Sequence, residues 1–114
     1  MEIQIIQKQC GGTGFLARPH RLHLGAQNAE GVDQLHFILP DAWAECSVAL
    51  YLRRNDGTQL APVALSSEGI VSVDRRLTGC TGGQWMLAAV NSSSGYTAYS
   101  QPGSYDAYST LPTD

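Results

Sequence analysis

All three histidines of this chain fall between His20 and Phe37, in "HRLHLGAQNAEGVDQLHF". Three imidazoles in so short a window, in a chain that also has three cysteines, raise zinc chemistry first. Structural zinc takes four ligands, and catalytic zinc takes three and keeps one position open. His20 and His23 flank and enter "RLHL", which reads as a short strand, so they point to opposite faces. The i, i+4 helical spacing of an HExxH site is absent. His23 and His36 become cross-strand neighbours only in one register, which the sequence leaves open. No metal and no cofactor is expected, and the three are read as ordinary strand and turn histidines.

Other catalytic patterns are thin. Cys10, Cys46 and Cys80 stand some 35 residues apart with no CxxC pair, which removes the zinc ribbon and the thioredoxin-like motif and leaves free thiols. Serines are plentiful, but no GxSxG elbow occurs. "CGGTG" at residues 10–14 reads as a flexible loop after the first strand and lacks the lysine of a P-loop. Asp33, Asp41, Asp56 and Asp74 are scattered, not paired as glycosidase carboxylates are. Arg53-Arg54 and Arg75-Arg76 read as solvated strand ends near Asp56 and Asp74. The chain is not expected to be an enzyme.

Aromatics are the richer class. Trp85 opens an apolar run straight after "TGG" and reads as a core anchor. Trp43, beside Pro40-Asp41, either covers one end of the core or stands exposed at a loop. Tyr96, Tyr99, Tyr105 and Tyr108 crowd the C-terminal part. Tyrosine joins an apolar body to a polar tip, which suits protein interfaces and sugar faces. Trp43 and these four tyrosines are the candidate contact residues, with ordinary strand and tail positions as the competing reading.

The elements that must position them are strands. "CSVALYLRR" alternates with Cys46, Val48, Leu50 and Leu52 on one face, the period of a strand with one side on a core. "NDGT" supplies a tight hairpin turn at Asp56-Gly57, and "QLAPVAL" returns, with Pro62 marking an edge or a bulge. "GIVSVDRRL" follows the "SSEG" turn and completes a meander. "EIQIIQKQ", "RLHL", "DQLHFILP", "QWMLAAV" and "GYTAYS" are further strands, and "TGCTGG" reads as a turn. "PDAWAEC" allows one helical turn, with Asp41 placed to cap it. Seven or eight short strands predict an all-β, antiparallel sandwich over residues 1–100, Ig-like or jelly-roll-like. Residues 101–114, "QPGSYDAYSTLPTD", show no docking periodicity and are expected to form an extended arm or linker.

Composition narrows the partners. The 114 residues carry a net charge of −3 and only 15% charged side chains, so there is no basic footprint for nucleic acid. "MEIQIIQKQC" lacks the uninterrupted apolar core of a secretory signal, and no run approaches the ~18 apolar residues of a membrane span. Cytoplasmic synthesis and no membrane partner are expected.

The pattern "DQLHFILPDAW…VALYLRRNDGTQLAPVAL…GIVSVDRRLTGCTGGQWMLAAV…GYTAYSQPGSY", from about Asp33 to Tyr105, resembles small proteins of prophage tail regions. More distantly it is similar to the N-terminal β-sandwich modules of siphophage baseplate upper and minor tail proteins. The resemblance implies a virion structural protein: a baseplate or fibre-adaptor module, oligomeric, docking on other tail proteins or on itself. It brings no catalytic residues. The alternative from the residues is a carbohydrate-binding module gripping a host-surface glycan through exposed Trp43 and the tyrosines.

Overall fold

The computed structural model describes residues 2–9 and 12–109, Arg76 without its side chain. Ten strands form two sheets packed face to face. In chain order they are β1 (Glu2–Gln9), β2 (Thr13–Arg18), β3 (Arg21–Ala26), β4 (Gln34–Ile38), β5 (Ser47–Arg54), β6 (Val63–Ala64), β7 (Ile70–Ser72), β8 (Gly82–Asn91), β9 (Tyr96–Tyr99) and β10 (Gly103–Tyr108). One sheet has four strands in the order β2-β1-β4-β7. The other has six, in the order β3-β10-β8-β5-β6, with β9 also on β8.

Alternation builds the core. Ile3 and Ile5, Leu35 and Phe37, Val48, Leu50 and Leu52, and Trp85, Leu87 and Ala89 point inward from their strands and are buried, while their neighbours face outward. Rings lock the layers together. Phe37 of the four-stranded sheet meets Trp85 of the six-stranded one at 5.6 Å between centroids, and Phe15 meets Trp43 at 4.8 Å. Both pairs are tilted, as ring quadrupoles favour. The buried Trp85 indole donates to the His20 carbonyl at 3.0 Å, so the core anchor leaves no orphaned donor.

The all-β sandwich predicted by the strand pattern is present, but its sheets are mixed. β1 runs parallel to β4, and β3 runs parallel to β10, because β3 leaves the first sheet after the β1–β2 hairpin and joins the second. The expected meander also breaks. β6 pairs with β5, whereas β7 crosses to the other sheet and pairs with β4. The turn before β7 brings Gly69, at φ +78°, against the backbone of Phe37, where a Cβ would collide with the carbonyl.

Four local expectations are corrected. "DRRL" is helical, not extended: α1 (Arg75–Thr78) closes on the Asp74 carbonyl, and buried Thr78 ties it to the Ala29 carbonyl at 2.7 Å. The single turn at Asp41–Trp43 has Pro40 in the capping position and no side-chain cap. The glycine-rich loop after β1 gives way at Thr13 to β2, while Cys10 and Gly11 lie outside the described residues. The segment expected as an arm contributes β10, seated between β3 and β8 in the six-stranded sheet; residues 110–114 of that expectation lie outside the described residues.

β10 has a specific physical cause. Gly103 stands opposite Trp85 and Tyr105 opposite Gly83. Each glycine leaves room for the ring across from it: a Cβ at Gly103 would strike the Trp85 indole and the His20 carbonyl, and one at Gly83 would strike the Tyr105 ring. These glycines serve close approach rather than a turn. Among the described residues no helix is long and apolar enough to cross a membrane.

Candidate functional surface

The histidines do not converge. His20 is exposed and serves through its backbone carbonyl, which also accepts the Ser104 N–H at 3.1 Å. His23 lies on β3, on the outer face of the six-stranded sheet, and His36 lies on β4, in the other sheet, opposite Glu2 and Ile70. Among the described residues no group of three or more His, Cys, Asp or Glu is placed to hold a metal ion. Cys46 and Cys80 are free thiols, both half-buried.

Of the aromatic candidates, two move inside. Trp43 is 1% exposed and Tyr105 is 2% exposed, so neither presents a contact surface. Trp43 sits under the Pro40–Cys46 connection and closes the core against Phe15. Tyr105 faces inward from β10, and its hydroxyl finds no partner among the described residues; burial pushes its ionisation above the usual phenol range. Tyr96 is half-buried. Tyr99 and Tyr108 are exposed, at 56% and 66%.

The outer face of the six-stranded sheet collects the features that sequence reading passed over. Register places Ala49 beside Ala88, Tyr51 beside Met86, and Ala88 beside Tyr99, all pointing outward. Val90 continues the row and is 43% exposed. Ala88 is only 4% exposed although it faces outward, because larger neighbours shoulder over it. The centre of this face is thus an uncharged apolar strip of Ala49, Tyr51, Met86, Ala88, Val90 and Tyr99. The available signal was "WMLAAV", apolar at both parities, which marks a strand covered on both sides.

One corner of the same face is ionic. Asp106 on β10 accepts from Arg21 Nε at 2.9 Å and meets His23 Nδ1 at 2.8 Å, both on β3. The His23 hydrogen bond, joined by Arg21, holds the Asp106 carboxyl below the ordinary carboxylate value against a smaller opposing effect of burial. A carboxylate that orients a histidine is half of a nucleophile-activating relay. Here no nucleophile is hydrogen-bonded to His23 among the described residues, and the cluster's evident effect is to clip β3 to β10. Nothing local in the sequence marks it, since Asp106 lies 83 residues from His23. Of the arginine pairs, Arg75 reaches Glu30 at 3.0 Å.

On the side of the sandwich, a cleft of about 540 Å³ opens between β2 and β9, with Thr13 and Phe15 on one wall and Tyr96 to Tyr99 on the other. Two of the tyrosine candidates, Tyr96 and Tyr99, line it together. Comparison with known protein families, curated proteins and solved structures finds no match.

Proposed function

We propose that this chain is a non-enzymatic assembly module that associates through the outer face of its six-stranded sheet, first with a second copy of itself and then with neighbouring proteins of a phage or prophage tail. The supporting observation is the apolar strip itself. Water against Tyr51, Met86, Val90 and Tyr99 is costly, and contiguous exposed apolar surface on a soluble domain marks a contact site. The resemblance to baseplate and fibre-adaptor modules supplies the setting, and the low charge of the chain suits a protein that works inside an assembly.

The carbohydrate alternative lacks its anchoring ring, because Trp43 is buried. Its remaining exposed rings, Tyr99 and Tyr108, are separated by nine residues along the β9–β10 run, roughly 30 Å at the usual strand rise. They do not make one sugar platform.

Molar mass by light scattering after size exclusion tests the proposal. A defined oligomer is expected for the native chain and a monomer for Val90→Glu. A native monomer, or an oligomer indifferent to that substitution, contradicts it.

A further inference from the structure

Next to the satisfied ion cluster of β3 and β10 stands a carboxylate that is not satisfied. Arg21 and His23 both engage Asp106. One step further along the strands the register shifts: β10 advances from Asp106 to Tyr108 while β3 advances from His23 to Ala26. Gly25 takes up the extra residue at φ +83°, a left-handed backbone that glycine adopts without strain. It also leaves the sheet bare there. A Cβ on Gly25 would stand 3.6 Å from Asp33 Oδ2, so the Asp33 carboxylate lies across that glycine. The Val73 N–H donates to the Asp33 carbonyl at 2.9 Å and fixes the residue's backbone. Its side chain is exposed and has no hydrogen bond or ion pair among the described residues.

A cleft of about 580 Å³ gathers these groups, with Arg21, His23, Gly25, Asp33, Asp106 and Tyr108 around it. Tyr108 is 66% exposed. Asp106 already answers the charge of Arg21, so with His23 neutral the cleft keeps one uncompensated negative charge, that of Asp33. This charge decides among ligands. An anion meets two carboxylates. A metal ion finds no group of three or more ligating side chains among the described residues. An organic cation finds a free carboxylate and an exposed ring whose face attracts positive charge. The pairing of Arg21 with Asp106 shows the contact in the same cleft, a guanidinium N–H on a carboxylate oxygen at 2.9 Å.

We propose that this cleft takes an arginine side chain of a partner protein, its guanidinium on Asp33 and its plane against Tyr108. The planar fork of a guanidinium fits a carboxylate and stacks on an aromatic ring, whereas an ammonium binds as a point charge. The chain carries a net charge of −3, so a site that reads charge favours a basic partner over a second acidic copy. The cleft shares no residue with the apolar strip, and the proposal stands whether or not the chain associates through that strip.

The probe is N-acetylarginine amide, titrated at low salt into the ¹⁵N-labelled full chain, beside N-acetyllysine amide and the neutral isostere N-acetylcitrulline amide. The arginine probe is expected to give saturable shifts at the Gly25, Asp33 and Tyr108 amides, the lysine probe weaker ones and the citrulline probe none. Asp33→Asn is expected to keep the thermal midpoint and to weaken the arginine probe about threefold to fivefold, the scale of an exposed charge contact. Tyr108→Ala is expected to weaken it about twofold to fivefold, and Tyr108→Phe, which keeps the ring, to bind as the native chain does. The Tyr108 variants and the citrulline probe keep the test should Asp33→Asn unfold. No saturable shift, an equal response to citrulline, or binding indifferent to Asp33→Asn and Tyr108→Ala overturns the proposal. An oligomer lost with Asp33→Asn overturns it in favour of a second copy.

Discussion

The outer face of the six-stranded sheet has two halves built on one register. At the β3–β10 corner, Arg21, His23 and Asp106 point outward and satisfy one another. Along β5, β8 and β9, the residues at the same outward parity are Ala49, Tyr51, Met86, Ala88, Val90 and Tyr99, of which Val90 and Tyr99 are exposed, Ala49, Tyr51 and Met86 half-buried and Ala88 buried. Both halves follow the same alternation, yet only one is finished. The ionic corner is satisfied by its own side chains, whereas the apolar strip leaves Val90 and Tyr99 exposed, and in the proposed function a second surface covers them. Strand alternation decides which residues face outward; residue chemistry decides whether that face needs a partner.

The sharpest way to break the comparison is to break the seam both halves share. Gly103→Val forces a branched side chain into the Trp85 indole and the His20 carbonyl. A loss of about 3 kcal/mol or more is expected from overpacking and backbone strain, measured by urea denaturation. Both halves fall with it.

The halves should then separate. Val90→Glu places a charge on the apolar strip at a position 43% exposed, so its effect on folding should stay within about 0.5 kcal/mol. Its effect on association is expected to be at least about tenfold, read by sedimentation equilibrium.

The ionic corner should show the reverse. Asp106→Asn removes the charge that Arg21 and His23 share, with an expected cost of no more than about 1 kcal/mol for so exposed a cluster and no change in association. Its pH dependence carries a sign. The folded carboxyl titrates below its ordinary value of 3.8, so its contribution is present above that value and lost as pH falls through the lower folded one. Urea curves of wild type and Asp106→Asn are expected to differ at neutral pH and to converge in strong acid.

The smallest effect is expected inside. Tyr105→Phe deletes a buried hydroxyl that has no partner among the described residues, so it should be neutral or stabilise by up to about 1 kcal/mol, seen as an unchanged or raised thermal midpoint.

Much of the sandwich was legible, and the illegible parts share a cause. β1, β4, β5 and β9 show period-two apolar patterns and β8 an unbroken apolar run, and the sequence reading finds each within a few residues of its place. β10 and the start of β8 are hidden by Gly103, Gly82 and Gly83, which read as breakers because glycine usually marks turns. Here they make room for rings across the sheet. Once β10 is taken as a strand, "SYDAY" alternates plainly, with Tyr105 and Ala107 inward and Asp106 and Tyr108 outward. Trp43 was left open between core and surface because a loop position has no parity to decide it. The Arg21–His23–Asp106 cluster had no local signature at all, since a parallel register between β3 and β10 assembles it from the two ends of the chain. The apolar strip was present in "WMLAAV" as apolar residues at both parities.

The most direct test of the central claim sets the two halves against each other in one measurement. Sedimentation equilibrium of the native chain, Val90→Glu and His23→Ala is expected to return an oligomer, a monomer and the same oligomer. A monomer for the native chain, or an oligomer lost with His23→Ala and kept with Val90→Glu, would contradict the assignment of the apolar strip as the assembly surface.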